Sequence, residues 1–251
     1  MKKYFKGFLM AVSMFTVIPL PYYEWDDEGA RNILKFYPIV GLIVGLIWYL
    51  IYIGMIFLGA STILITAITM VAPFIITGML HLDGYMDVCD ALFSRREMKE
   101  KVRILKDPNT GAFAVISLAI LFIVQFSAVY TIVDKQIGII SLVFIPIVSR
   151  STMSLLLLTK ESMKESSLGS YFKKGTGKFD RVLQIIILII MILVFYRCLN
   201  IKGVIIPISM VILGITVVNN SSKQLGGMSG DSAGFGLVIS ELVGILLLAF
   251  I

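Results

Sequence analysis

The sequence predicts an all-α fold, a multi-pass transmembrane helical bundle of about seven spans preceded by an N-terminal interfacial or re-entrant helix. Three observations carry that reading. Apolar residues make up 58% of the chain and the mean hydropathy is +0.94, well above the composition of a soluble domain. Several apolar runs approach the roughly 20 residues that a helix needs to cross a hydrocarbon core. The charged residues gather between those runs instead of spreading over a surface. A chain of 251 residues is used up by seven spans and short connections, so a single integral membrane domain over residues 1–251 is expected.

Taken in order, Lys2, Lys3 and Lys6 lead into an apolar stretch, Gly7 to Leu20, that ends in Pro19-Leu20-Pro21. It is short for a span and lacks a small-residue cleavage site, so we read it as a retained helix at the interface. A mixed acidic and basic segment follows, from Tyr22 to Lys35. Spans are then predicted at 37–58, 62–80, 113–133, 138–158, 182–199, 204–220 and 235–251, each from an unbroken apolar run of helical length. Alternating the sides places 18 lysines and arginines on the side of the N-terminus and of loops 81–112, 159–181 and 221–234, against three on the other. The positive-inside rule makes the first side cytoplasmic and the protein a resident of the cell (cytoplasmic, inner) membrane. The net charge of +6 therefore reflects topology and membrane lipid, not nucleic acid. Two cysteines, Cys89 and Cys198, with no Cys-x-x-Cys and a single histidine, His81, exclude a disulfide framework, a zinc site and a histidine-based triad.

The chemistry concentrates where the second span meets its loop. If the apolar helix continues through residues 78–90, Asp83, Asp87 and Asp90 stand within about 40° of one line along it. Two carboxylates about 6 Å apart at an effective dielectric of about 20 repel by about 3 kcal/mol, so three at a membrane boundary call for a cation. Oxygen ligands without clustered His or Cys point to Mg²⁺. The competing reading is a solvated acidic helix end. In the same loop Lys106 and Asp107 precede a Pro-Asn-Thr-Gly turn, with Asp107 placed to complete the metal site, and Arg95, Arg96, Lys99, Lys101 and Arg103 supply positive charge beside it. Those basic residues suit a phosphate substrate, and inner-leaflet electrostatics explains them equally.

Arg150 lies about 12 Å inside its predicted span, a depth that costs a few kcal/mol unless the charge is paired or faces water. Glu241 sits at a similar depth in the last span. The two either neutralise each other or hold a ligand, Arg150 as a phosphate clamp and Glu241 orienting it. Gly226, Gly227, Gly230 and Asp231 form a glycine-rich stretch ahead of the last helix, of the kind that lets backbone approach a phosphate or nucleotide. The segment Leu168 to Phe172 with Lys173 and Lys174 reads as a lid or a headgroup site.

Most of the chain resembles the cobalamin synthase family, whose members are also called adenosylcobinamide-GDP ribazoletransferases. The resemblance rests on Leu80-His81-Leu82-Asp83-Gly84-Tyr85-Met86-Asp87-Val88-Cys89-Asp90, on Lys106-Asp107 with Gly111 and Phe113, on Arg150, Leu168-Gly169, and Gly226-Gly227-Met228-Ser229-Gly230-Asp231 with Glu241. Phe15-Thr16-Val17-Ile18-Pro19 and the segment from Pro38 to Gly45 look like the family's opening. Ala91, Ala114 and Met228-Ser229 depart from its usual residues. The resemblance implies an Mg²⁺-dependent membrane enzyme of coenzyme B12 synthesis that joins adenosylcobinamide-GDP to α-ribazole, or α-ribazole 5′-phosphate, and releases GMP. It implies Asp83, Asp87, Asp90 and Asp107 as metal ligands and Asp87 or Asp107 as acceptor of the hydroxyl proton. Arg150 and Lys106 would hold phosphate oxygens; Gly226, Gly227, Gly230 and Asp231 would serve the nucleotide or ribazole end. A homo-oligomer is compatible with all of this. Two rival readings are a CDP-alcohol phosphatidyltransferase-like lipid enzyme, whose usual Ala-Arg after Asp-Gly-x-x is Asp87-Val88 here, and an ion-coupled transporter using the Asp, Arg and Glu residues as a pathway.

Overall fold

The computed structural model describes residues 2–163 and 176–251. Helix α1 (Lys2–Phe15) and the one-turn α2 (Asp27–Ala30) pack beside α3 (Ile33–Phe57), which is followed by α4 (Thr62–Ile76), α5 (Leu80–Phe93) and α6 (Met98–Leu105). Then come α7 (Ala112–Lys135), a 3₁₀ turn (Ile139–Val143) leading into α8 (Ile145–Thr159), α9 (Lys178–Gly203), α10 (Ile205–Leu225) and α11 (Gly230–Ala249). Six helices are long and apolar enough to cross a membrane: α3, α7, the 3₁₀ turn with α8, α9, α10 and α11. The protein is a multi-pass membrane bundle, and α1 is the shorter apolar helix at its start. The predicted lid at Leu168 to Lys174 lies outside the described residues.

The second predicted span, 62–80, is broken near its end, which corrects the idea that the acidic run continues that helix. The chain turns by 90° between α4 and α5. The cause is local. Gly78 takes a left-handed conformation with φ of 61°, the Gly78 amide bonds the Ile75 carbonyl at 3.0 Å and the Met79 amide bonds the Phe74 carbonyl at 2.9 Å, the pairing of a Schellman helix stop. The Thr77 hydroxyl adds a second bond, of 2.9 Å, to the Pro73 carbonyl that already accepts from the Thr77 amide at 3.2 Å, a local side-chain bond of the kind that bends helices. The predicted loops 81–112 and 221–234 are likewise mostly helical, divided among α5, α6 and the adjoining ends of α7, α10 and α11.

Helix α8 forms the centre. Nearly all of α8 is buried, because α3, α9, α10 and α11 surround it. The α3–α8 contact is made possible by Gly41 and Gly45, four residues apart on one face of α3. A methyl group on Gly41 would overlap the Pro146 carbonyl, and one on Gly45 the Val143 carbonyl. Small residues at this spacing let two helix backbones approach where lipid supplies no hydrophobic drive between them. Gly45→Val is expected to cost about 1–3 kcal/mol through overpacking, read as a lower unfolding temperature in detergent, whereas Gly54→Val, whose Cβ would meet nothing within 4 Å, should leave that temperature unchanged. Lys35 and Asp180, 3.2 Å apart, tie the starts of α3 and α9 together.

Candidate active site

Helix α5 is amphipathic in a way its apolar neighbours are not. His81, Leu82, Gly84, Tyr85, Val88, Cys89 and Ala91 are buried, while Asp83 is exposed and Asp87 and Asp90 are half-buried on the other side. The buried face is anchored by the Tyr85 hydroxyl, which donates to the Ser117 carbonyl at 3.1 Å, and by the Tyr85 ring, stacked on Phe235 with centroids 5.9 Å apart. The acidic face therefore follows from what the opposite face must bury.

A fourth carboxylate arrives from the far end of the sequence. Helix α11 crosses α5 where both carry glycine: a Cβ on Gly84 would stand 2.8 Å from the Asp231 Cα, and one on Gly234 3.1 Å from the His81 carbonyl. That approach brings Asp231 within electrostatic reach of Asp83 and Asp87, and Asp87 also feels Asp90. Ser229 caps α11 by accepting from the Ser232 amide at 3.1 Å and turns its hydroxyl toward Asp231 at 3.4 Å. None of these four aspartates forms an ion pair among the described residues. Nor, among those residues, do three His, Cys, Asp or Glu side chains stand close enough to enclose an ion by themselves.

The other predicted residues divide. Asp107 is exposed, and its Oδ1 accepts from the amide and side chain of Asn109 at 2.9 and 2.8 Å. Those two bonds hold its carboxyl below the usual range, so the residue is engaged in its own turn. Lys106 is exposed at the end of α6. Gly226 (φ 80°) ends α10, and Gly227 (φ 147°) lies against the backbone of Ser162 and Met163, where Met228 exchanges bonds of 2.9 Å with Glu161 and Met163. The turn itself requires those two glycines. Among the described residues nothing lies within 4 Å of the Cβ that Gly230 lacks.

Arg150 is enclosed in the bundle at 1% exposure, its Nη1 2.8 Å from the Glu241 Oε1. Ser149 donates to the same Oε1 at 2.7 Å, and the Tyr37 ring lies 5.9 Å from the guanidinium. The mutual neutralisation that the depths of these residues allowed is the geometry observed.

Two openings flank the acidic face. One is a polar cleft of about 500 Å³ bounded by Asp90, Ser94, Arg96, Glu100, Arg103 and Phe113. The Asp90 carboxylate presses so closely on Gly111 that any side chain there would displace it. Arg103 is fixed by a two-pronged bond to Glu100, with contacts from 2.6 to 3.1 Å. Sequence reasoning left Arg96 and Arg103 open between a phosphate-binding role and topology; the amphipathic pattern of α6 was the signal that could have singled out Arg103. The other is a largely apolar cavity of about 150 Å³ behind Asp231, open at Leu80 and Gly230 and reaching Phe15, Tyr37 and His81. Nothing local in the sequence announced it, since its walls come from five helices.

Comparison with known proteins follows the same outline. No solved structure matches the chain. The model of a family described as cobalamin-5-phosphate synthase matches residues 7–249. Proteins named adenosylcobinamide-GDP ribazoletransferase are similar to it over almost their full length. One from Clostridium botulinum (strain Alaska E43 / Type E3) is 49% identical over 98% of this chain and 97% of its own. One from Clostridium perfringens (strain SM101 / Type A) is 43% identical over 100% of both chains. One from Lachnoclostridium phytofermentans is 30% identical over 96% and 92%. Since both the family model and these relatives span α1 to α11, acidic helix and glycine crossing included, the chain belongs to the cobalamin-5-phosphate synthase family.

Proposed function

We propose that this chain is an adenosylcobinamide-GDP ribazoletransferase acting in cobalamin biosynthesis, joining adenosylcobinamide-GDP to α-ribazole or its 5′-phosphate and releasing GMP. Family membership favours this reading over a phosphatidyltransferase or an ion-coupled carrier. The single observation that supports it in the molecule is the meeting of Asp83, Asp87, Asp90 and Asp231, with no cation partner among the described residues, between a cleft containing two arginines and an aromatic-walled cavity.

The donor set fits Mg²⁺. All four groups are carboxylates, partly open to water, and Mg²⁺ typically keeps several waters and takes only one or two carboxylates together with substrate phosphates. One or two of Asp83, Asp87 and Asp231 would hold it, with Asp90 at the edge, and the bound ion would neutralise charge on the diphosphate. In the reaction a ribose hydroxyl oxygen of the acceptor bonds to the phosphorus nearest cobinamide, and that phosphorus loses its bond to the GMP phosphate. The hydroxyl proton passes to a carboxylate. Asp87 suits that role better than Asp107, whose carboxylate is already hydrogen-bonded within its turn. Arg96 and Arg103 border the cleft where the phosphates of the leaving GMP would develop charge, and such positioning supplies most of the catalysis in phosphoryl transfer. The basic-residue asymmetry supports a site facing the cytoplasm.

The test is direct. Purified protein given adenosylcobinamide-GDP, α-ribazole and Mg²⁺ should release GMP, lose that activity in EDTA, and regain it with excess Mg²⁺. Release that EDTA leaves untouched would remove the metal; no release under any condition would remove the reaction.

A further inference from the structure

The cavity behind Asp231 takes no part in the bond-making and bond-breaking just described. Its walls are three rings and a few small or aliphatic groups: Phe15 from α1, Tyr37 from α3, His81 from α5, Leu157 from α8 and Ala233 from α11. The Phe15 and Tyr37 centroids are 4.2 Å apart, and His81 lies 6.1 Å from Phe15 with its plane inclined by only 27°. The polar atoms of the interior, the Tyr37 hydroxyl and His81 Nε2, are 3.3 Å apart and bonded to each other. The cavity thus offers flat apolar surface and no unpaired charge in its depth. Asp231 lines this cavity and also takes part in the acidic cluster.

We propose that this cavity seats the aromatic base of the acceptor nucleoside, with the sugar held at Asp231 and its reacting hydroxyl presented to the acidic face. The inference rests on the proposed reaction and adds to it the subsite that selects the acceptor. A cavity of about 150 Å³ that is open at Leu80 and Gly230 accepts a flat ring system with its outer edge at the mouth, and an apolar void of that volume takes up benzene even when enclosed. A corrin ring is far too large. A guanine would bury a hydrogen-bonding edge against a Tyr–His pair already satisfied, which is costly, and its diphosphate is better matched by the arginines of the other cleft. A fused aromatic base without exocyclic polar groups meets the walls on their own terms. On this assignment the groups follow one another across the site as base, sugar, carboxylates, diphosphate and arginines.

Ala233→Leu, which fills the cavity, should raise the KM for α-ribazole by at least about tenfold while the KM for adenosylcobinamide-GDP stays within about twofold. The penalty should be larger for the riboside of dimethylbenzimidazole than for that of unsubstituted benzimidazole. Leu157→Ala, which enlarges the cavity, should shift the preference in kcat/KM toward the bulkier base, and serves as an independent test if Ala233→Leu does not accumulate. A rise in both KM values together, a rise for adenosylcobinamide-GDP alone, a loss confined to kcat, or a base preference that Leu157→Ala leaves unmoved would each overturn the assignment. GMP release by the unsubstituted protein judges the reaction itself, so the two failures are distinguishable.

Discussion

Asp87→Asn is expected to leave the protein folded in the membrane and to cut GMP release by about a thousandfold, the scale on which removing a preorganised electrostatic group slows a transfer of this kind. The substitution keeps the shape of the side chain and removes its charge and basicity. Asp87 is the residue on which the fields of Asp83, Asp231 and Asp90 converge, so it is the one whose ionisation depends most on a bound cation and the one placed centrally among the groups that would hold it. Folding should be spared, because the buried face of α5 is made by His81, Leu82, Tyr85, Val88 and Cys89. Relieving repulsion among four carboxylates should, if anything, stabilise the protein without metal. The matched control is Asp134→Asn, exposed at the other end of α7, about 36 Å along that helix from the acidic face. GMP release is followed in parallel with the amount of protein in the membrane fraction. An Asp87→Asn protein working near the full rate would dissolve the carboxylate assignment.

Why that much was legible in sequence, and why the rest was not, is clearest at particular residues. The spans of α3, α7, α9, α10 and α11 follow from apolar length alone, since the hydrocarbon core leaves a helix little freedom to be anything else. The acidic face of α5 could be read because its spacing is local. What a hydropathy window passed over was the pair Thr77-Gly78: both residues are tolerated in an apolar run, and only the backbone turn they adopt ends the helix. Contacts between distant segments were invisible for a different reason. Tyr37 and His81 are 44 positions apart, and the crossing of Gly84 with Gly234 depends on the azimuth of two helices, which apolar runs with no polar stripe do not specify. The glycines at 226 and 227 looked like a phosphate loop because a tight turn and a phosphate cradle ask for the same residue.

The ion pair of Arg150 and Glu241 gives the second large effect. Glu241→Ala should destabilise the bundle by about 3–5 kcal/mol, the usual cost of leaving one partner of a buried pair alone. The cost should lie toward the upper end here. Arg150 Nε already has no hydrogen-bond partner among the described residues, its Nη1 depends on Glu241, Ser149 and the Pro146 carbonyl, and water is excluded at 1% exposure. Replacing both residues, Arg150→Met with Glu241→Leu, removes the uncompensated charge and fills the space with apolar groups of similar length, so most of the lost stability should return. Unfolding temperatures of the two single variants and the double in one detergent measure this coupling. The same set of proteins decides what the pair does for the reaction. Arg150 sits on α8 and Glu241 on α11, the helix that carries Asp231, and the Tyr37 ring lies against the guanidinium. A tether between those helices predicts that GMP release recovers with stability in the double variant. A double variant that is stable yet silent would instead assign the Arg150 charge to the phosphates, drawn toward them when substrate enters.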